Sequence, residues 1–312
     1  MKPIVMSETQ SIVGTKYVET YQFKSDHKVP IYEVYDSHGL NQIIGYIKLL
    51  NREYGKVYYR GQCNLHDTML PSLYHESQSP NFINNRNYKL NKIIEAASKD
   101  CSFLKEINRE IGDESLTILI EGVLQHYGIN THCIDAVDNH WIAIWFGLHK
   151  YQCEVIKGIK YARYIERYQN AYQLITNEDI LDGKLTSMYQ YILLIAAENG
   201  VEEQGINRAK TMTTVDLRTA LPSTFLRPHA QHGVVLKRKP RDSSSNYDLS
   251  ENVVGILKIR IDLARKWLGD GELVRFNNLF PSQFRDFSYR ILLERDDLFS
   301  DDVNSIVRYT YE

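Results

Sequence analysis

The spacing of apolar residues changes several times along the chain, and each change marks an element. From Asp36 onward, Leu40, Ile43, Ile44, Ile47 and Leu50 follow the 3.6-residue repeat of a helix, with Asp36 or Ser37 placed to cap it. The helix ends at "YGK", and "VYYR" at 57–60 reads as a strand. Residues 66–85 read as a long loop broken by Pro71 and Pro80. Amphipathic patterning over 88–111 and, more regularly, over 114–127 predicts two helices, the second stopped by Gly128. "DNHWIAIWFGLHKY" is apolar nearly all round and predicts a buried central helix. The tyrosine-rich section at 158–205 holds one predicted strand, "YILLIAA" at 191–197. "HGVVLKRK" and "VVGILKIRI" predict two more, paired as a hairpin across an exposed tip at 241–252. A helix near 262–268 and the segment "LFPSQFRDFSYRILLER" follow. Residues 1–30 are weakly patterned and read as a loosely attached arm, and 299–312 as a tail. With no internal repeat and no Pro/Gly-rich linker, the expectation is a single compact α+β domain.

Composition narrows the classes further. The 312 residues are 43% apolar and 24% charged, enough for a real core. A net charge of −2 gives no bulk electrostatic case for nucleic-acid or membrane binding. No apolar run approaches the roughly 20 residues of a membrane-spanning helix. The N-terminus has no apolar stretch ahead of a cleavage site, so the expected location is the cytoplasm. Cys63, Cys101, Cys133 and Cys153 form no CxxC spacing, which argues for reduced thiols rather than a zinc ribbon. The 22 tyrosines are a bias of composition that leaves some available to line a pocket.

Three polar constellations stand out. "VYYRGQ" sets Arg60 at a strand end, where its planar fork of donors suits an anion, with Gly61 permitting a turn or close approach and Gln62 beside it. The alternative is a structural arginine paired with a carboxylate. "QHYGINTHCID" places Gln125, His126 and Tyr127 at a helix end, and Thr131, His132 and Asp135 just beyond. A helix dipole accounts for a histidine there, and turn chemistry for an aspartate, yet so many hydrogen-bonding side chains exceed what a bend requires. "STFLRPHAQHGVVLKRK" sets Arg227, His229, Gln231 and His232 before a strand, a place common to binding sites and plain loops alike. No HExxH is present, and the histidines of "HAQH" are spaced i,i+3 beside Pro228, so no metal is expected. P-loop, dinucleotide and nucleophile-elbow patterns are likewise missing.

Taken together, "YYRGQ…LPSL", "LQHYGINTHCIDAVDNHWIAIWFG", "RPHAQHGVV" and "LFPSQFRDFSYRIL" resemble the FRG domain, a family named for its aromatic-Arg-Gly motif, over about Ile31 to Leu298. Asn130 and His132 stand where that family usually has Pro and Arg, Ala136 and Val137 replace Trp-Thr, and Val234 replaces an aromatic. The resemblance implies a bacterial or phage effector in defence or toxicity. The motif order is more distantly similar to ADP-ribosyltransferases, which implies a mixed sheet flanked by helices and NAD as substrate. On that likeness Arg60 would hold the NAD phosphates with Gly61, Gln62 and Gln125 nearby. Thr131 would bond a ribose or amide, Tyr127 would stack on the nicotinamide, and His132 would replace the missing arginine as a weaker cation. The catalytic candidates are Arg60, His126 as ribose contact or base, Gln231 in the late polar position, and Asp135 as the nearest carboxylate. The implied partners are a macromolecular target, protein or nucleic acid, and a regulatory protein, with no membrane. Two rivals remain. One is a non-catalytic module sensing a nucleotide or phage component. The other is a nucleic-acid-acting effector using Lys237, Arg238, Lys239 and Arg241.

Overall fold

The computed structural model describes residues 1–75, 79–100, 107, 113–167, 188–239, 247–299 and 305–310. Its strands are β1 (Thr15–Gln22), β2 (Lys28–Val34), β3 (Gly55–Gln62), β4 (Cys133–Val137), β5 (His149–Ile156), β6 (Ile159–Glu166) and β7 (Tyr189–Glu198). Then come β8 (Val201–Glu203), β9 (Ile206–Arg208), β10 (Met212–Asp216), β11 (Gly233–Arg238), β12 (Val253–Arg260) and β13 (Arg308–Tyr309). The helices are α1 (Ser37–Leu50), α2 (Pro80–Lys99), α3 (Asp113–His126), α4 (His140–Leu148), α5 (Leu217–Ala220), α6 (Leu226–Ala230), α7 (Ile261–Trp267), α8 (Phe276–Leu279), α9 (Phe287–Glu294) and α10 (Asp296–Phe299).

Ten strands form one mixed sheet in the order β1-β2-β12-β7-β3-β4-β11-β10-β9-β8, with β2 and β12 parallel and the other neighbours antiparallel. The period of two sorts its core. Val57, Tyr59, Ile192 and Leu194 pack on one face against α1, α4 and α7, while Tyr58, Leu193, Ile195 and Ile256 pack on the other. A second helical layer, α2 and α3, covers Cys133, Val215 and Val235 farther along the first face. The fold is α+β, as expected. Asp36 caps α1 by accepting from the Gly39 N–H, and Asn139 caps α4 by accepting from the Trp141 N–H. Gly128 ends α3 with a φ of 105°, which the left-handed turn requires.

Several expectations are corrected. The supposed arm supplies β1 and the start of β2, and buries Met6, Phe23 and Val29. Pro80 opens α2 instead of breaking a loop, because its missing N–H costs nothing in a first helical turn. The strands β11 and β12 are no hairpin: β11 lies between β4 and β10, and β12 between β2 and β7. Asp248 and Leu249 of the supposed exposed tip are buried, and 240–246 lie outside the described residues. So do 101–106 and 108–112, where the first predicted amphipathic helix was to end. The tail docks instead of trailing: Ile306 and Val307 are buried, and β13 joins β6 and β5 in a three-stranded sheet.

Candidate functional site: a cavity in the fork of the sheet

Strands β3 and β4 meet at one pair, Tyr59 with Val137, and then diverge. Continued register would set Arg60, Gly61 and Gln62 against Ala136, Asp135 and Ile134, but those pairs do not form. Arg60 fills part of the gap, its Nη1 donating to the Asp135 carbonyl at 2.6 Å. That is its one hydrogen bond among the described residues, so Nε and Nη2 remain uncommitted. A cavity of about 690 Å³ opens in the fork and is walled by both strand ends. Its size falls in the ~300–1,000 Å³ range of small-molecule sites. Burial pulls the Arg60 guanidinium below its ordinary value and the charge of Asp135 opposes that pull.

Gly61 borders the cavity and has a further reason to be glycine. It sits within β3 opposite Ile192, with no turn. A Cβ there would lie 1.7 Å from the Ala143 carbonyl oxygen, so Gly61 lets α4 press directly on the strand. Gln62 ends β3 at the cavity, with Oε1 buried and unpartnered among the described residues.

Across the fork, Asp135 is held from two sides. Its Oδ2 accepts from Gln125 Nε2 at 2.7 Å, and Oδ1 lies 3.2 Å from His126 Nδ1. Thr131 Oγ1 donates to Gln125 Oε1 at 2.6 Å, which fixes the amide with its nitrogen toward Asp135. Burial raises the Asp135 carboxyl, but the bonds from His126 and Gln125 and the charge of Arg60 outweigh it, leaving the group below the usual carboxylate range. It is therefore ionised at neutral pH, and 39% of its side chain is exposed toward the cavity.

His126 borders the cavity but is largely enclosed. Its side chain is 4% exposed, Nδ1 is taken by Asp135, and Nε2 is enclosed without a partner among the described residues. A Cβ at Gly233 would come within 2.6 Å of that Nε2, so the glycine of "QHG" makes room for the ring. The bond from Nδ1 holds the Asp135 carboxylate in place. Gln231 borders the cavity from the C-terminal end of α6, not from a strand, and Nε2 donates to the Leu279 carbonyl at 2.8 Å.

The far wall is aromatic. Tyr151 and Tyr164 come from the β5–β6 hairpin, Phe280 from the "LFPSQ" segment, and Tyr309 from β13. Tyr164 and Phe280 lie 4.9 Å apart by ring centroids, and Phe280 and Tyr309 4.6 Å. Burial pushes the phenols of Tyr164 and Tyr309 upward, so both stay protonated. The sequence carries no reading of the hairpin; the "LFPSQ" motif and the excess of tyrosine are the signals it gives of this wall.

Three expected ligand contacts lie elsewhere. Tyr127 is fully buried, donates to Asp286 Oδ2 at 2.8 Å and stacks on Tyr289. Thr131 is equally buried and serves Gln125 and the Cys133 N–H. His132 turns to Glu121, at 2.7 Å from Nδ1, and to Asn87. None of the three borders the cavity. The stretch proposed as a basic patch is spent inside the fold: Lys237 on Glu121, Arg238 on Glu251 and the Asp248 carbonyl, and Lys239 on the Ala209 carbonyl. Arg241 lies outside the described residues. Among the described residues, no group of three or more His, Cys, Asp or Glu side chains gathers as a metal site would, and no helix is long and apolar enough to cross a membrane.

Residues 55–154 match the FRG domain family. That span holds β3, β4 and the Gln125–His126–Asp135 network, so both sides of the fork lie within the matched stretch. Gln231, Phe280 and Tyr309 lie beyond the match and complete the cavity wall. No curated protein and no solved structure matches the chain.

Proposed function

We propose that the forked cavity binds a nucleotide through Arg60, and that NAD is its substrate, cleaved at the nicotinamide glycosidic bond for ADP-ribosyl transfer or hydrolysis. The observation that carries this reading is the pairing of opposite charges across one cavity. Arg60 has donors to spare, and Asp135 is an ionised carboxylate held in place. A phosphate suits the first and a developing ribosyl cation suits the second. Aromatic rings on the far wall offer stacking to a base or nicotinamide.

In that reaction the bond from ribose C1′ to the nicotinamide nitrogen breaks, and its electron pair leaves with the nitrogen. Asp135 lowers the energy of the ribosyl cation. A nucleophile on a macromolecule, or water, then bonds to C1′ and gives up its proton. The test is NAD calorimetry combined with nicotinamide release from labelled NAD. Arg60→Ala should weaken binding tenfold or more, about 1.4 kcal/mol, with the fold intact by circular dichroism. Asp135→Asn should bind NAD and release no nicotinamide. Absence of NAD binding to the unaltered chain overturns the proposal.

A non-catalytic nucleotide sensor is the second reading. It is favoured by the burial of Tyr127 and Thr131 and by the enclosed Nε2 of His126, which leave few groups for chemistry. NAD binding without nicotinamide release would select it.

A further inference from the structure

Arg227 is wholly buried and carries its charge into a box of aromatic rings. The centre of its guanidinium lies 4.4 Å from the Tyr289 ring, 4.5 Å from Tyr127, 4.7 Å from Tyr309 and 5.5 Å from Phe280. Nη1 reaches the His126 carbonyl at 3.4 Å, while Nε and Nη2 have no hydrogen-bond partner among the described residues. No carboxylate among the described residues forms an ion pair with it. Asp286, equally buried, spends its oxygens on the Tyr127 hydroxyl and on the N–H groups of Arg227 and Tyr289. Ring faces support a buried cation. They do not satisfy planar N–H donors, and buried donors left without acceptors are costly and uncommon.

Two of the four rings, Phe280 and Tyr309, also line the cavity. Tyr309 belongs to β13, which pairs with β6 through Arg308 and Tyr309 and is followed by bonds from the Thr310 N–H and, more weakly, its hydroxyl to the Ala162 carbonyl. Tyr309 is held chiefly by ring contacts, to Phe280, Phe276 and Tyr164, whereas the residues just before it are buried and bonded through the backbone. Ile306 and Val307 are buried, the Val307 N–H donates to the Tyr127 carbonyl, and the Tyr289 hydroxyl donates to the Val307 carbonyl. Beyond that point the nearest ion pair is a loose one, Arg308 with Asp296 at 3.8 Å.

We propose that Arg227 is a second anion-binding group of the cavity, covered here by the Tyr309 ring and uncovered when β13 lifts, and that its ligand is a diphosphate group. The inference rests on the nucleotide reading only in that Arg60 holds another part of the same ligand. Its own ground is a buried cation with two idle donors one ring away from the cavity.

An arginine-directed dicarbonyl reagent with peptide mass spectrometry tests it, using inorganic pyrophosphate as the probe. In the unaltered chain Arg227 should resist modification. In Tyr309→Ala it should be modified at least tenfold faster, and pyrophosphate should restore protection. Tyr309→Phe keeps the ring and should behave as the unaltered chain. Modification that pyrophosphate does not slow, or no modification in either variant, overturns the proposal. Should Tyr309→Ala fail to fold, hydrogen exchange in the unaltered chain decides: pyrophosphate should speed exchange of the Thr310 N–H, and an unchanged rate overturns the lifting step. The two readings fail separately. Pyrophosphate protection without NAD binding removes the nucleotide reading alone, and NAD binding with Arg227 never protected removes this one alone.

Discussion

Glu121 is almost completely buried yet takes a donor on each oxygen, His132 Nδ1 and its N–H on one and Lys237 Nζ on the other. Burial raises its carboxyl, but the His132 bond and the Lys237 charge outweigh that and hold it at about 2, below its ordinary 4.5. A folded value below the unfolded one means stability that is complete above 4.5 and lost as pH falls toward 2. Between about pH 6 and pH 3 this group alone should cost the protein roughly 2 kcal/mol. Urea unfolding across that range checks it, and Glu121→Gln should remove this share of the acid dependence. The case also shows what single residues reveal in the sequence. The polarity of "QHYGINTHCID" announced a hydrogen-bonded knot, but not that Gln125 and Asp135 face the cavity while His132 turns to Glu121. That division depends on partners supplied by α2 and β11, far away in the chain.

Elements were legible where their signal is local. The 3.6 period and the Asp36 cap gave α1, and the all-round apolar stretch gave α4. The order of strands was not legible, because an apolar strand reads the same beside any neighbour. For that reason β11 and β12 looked like a hairpin, although β12 crosses over to lie between β2 and β7. The glycine of the Arg-Gly motif is an element-scale feature of this kind: it reads as a turn or a ligand approach, and the turn is absent while the contact of α4 with β3, not legible in the sequence, requires it. Gly61→Ala would drive a Cβ into the Ala143 carbonyl, which belongs to the helix backbone and cannot rotate aside. Overpacking of this sort costs about 1–3 kcal/mol, and this contact with helix backbone belongs at the upper end. Chemical denaturation should show that loss, together with weakened ligand binding, since the same crossing carries Arg60. A variant as stable as the parent would mean that α4 shifts freely on the sheet.

At the scale of the whole molecule, stability and access are placed at opposite ends of one design. The strand β7 is buried on both faces and paired along its length with β3 and β12. Each of its large apolar side chains contributes about 1.5–3 kcal/mol on burial. The cavity's aromatic wall instead hangs on the small β13-β6-β5 sheet, whose β5 is largely exposed and whose β13 is two residues long. Local opening draws on regions with few buried contacts, so amide exchange should follow this division. The N–H groups of β7, β3 and β12 should exchange only on global unfolding and respond fully to denaturant. Those of β5 and β13 should exchange through local opening that denaturant scarcely affects. If β13 instead exchanges as slowly as β7, the cavity wall and the core open together, and a ligand enters without the C-terminal strand moving. If β13 exchanges early while β3 stays closed, the anion-gripping strand is rigid and the ring that covers its far side is the part that yields.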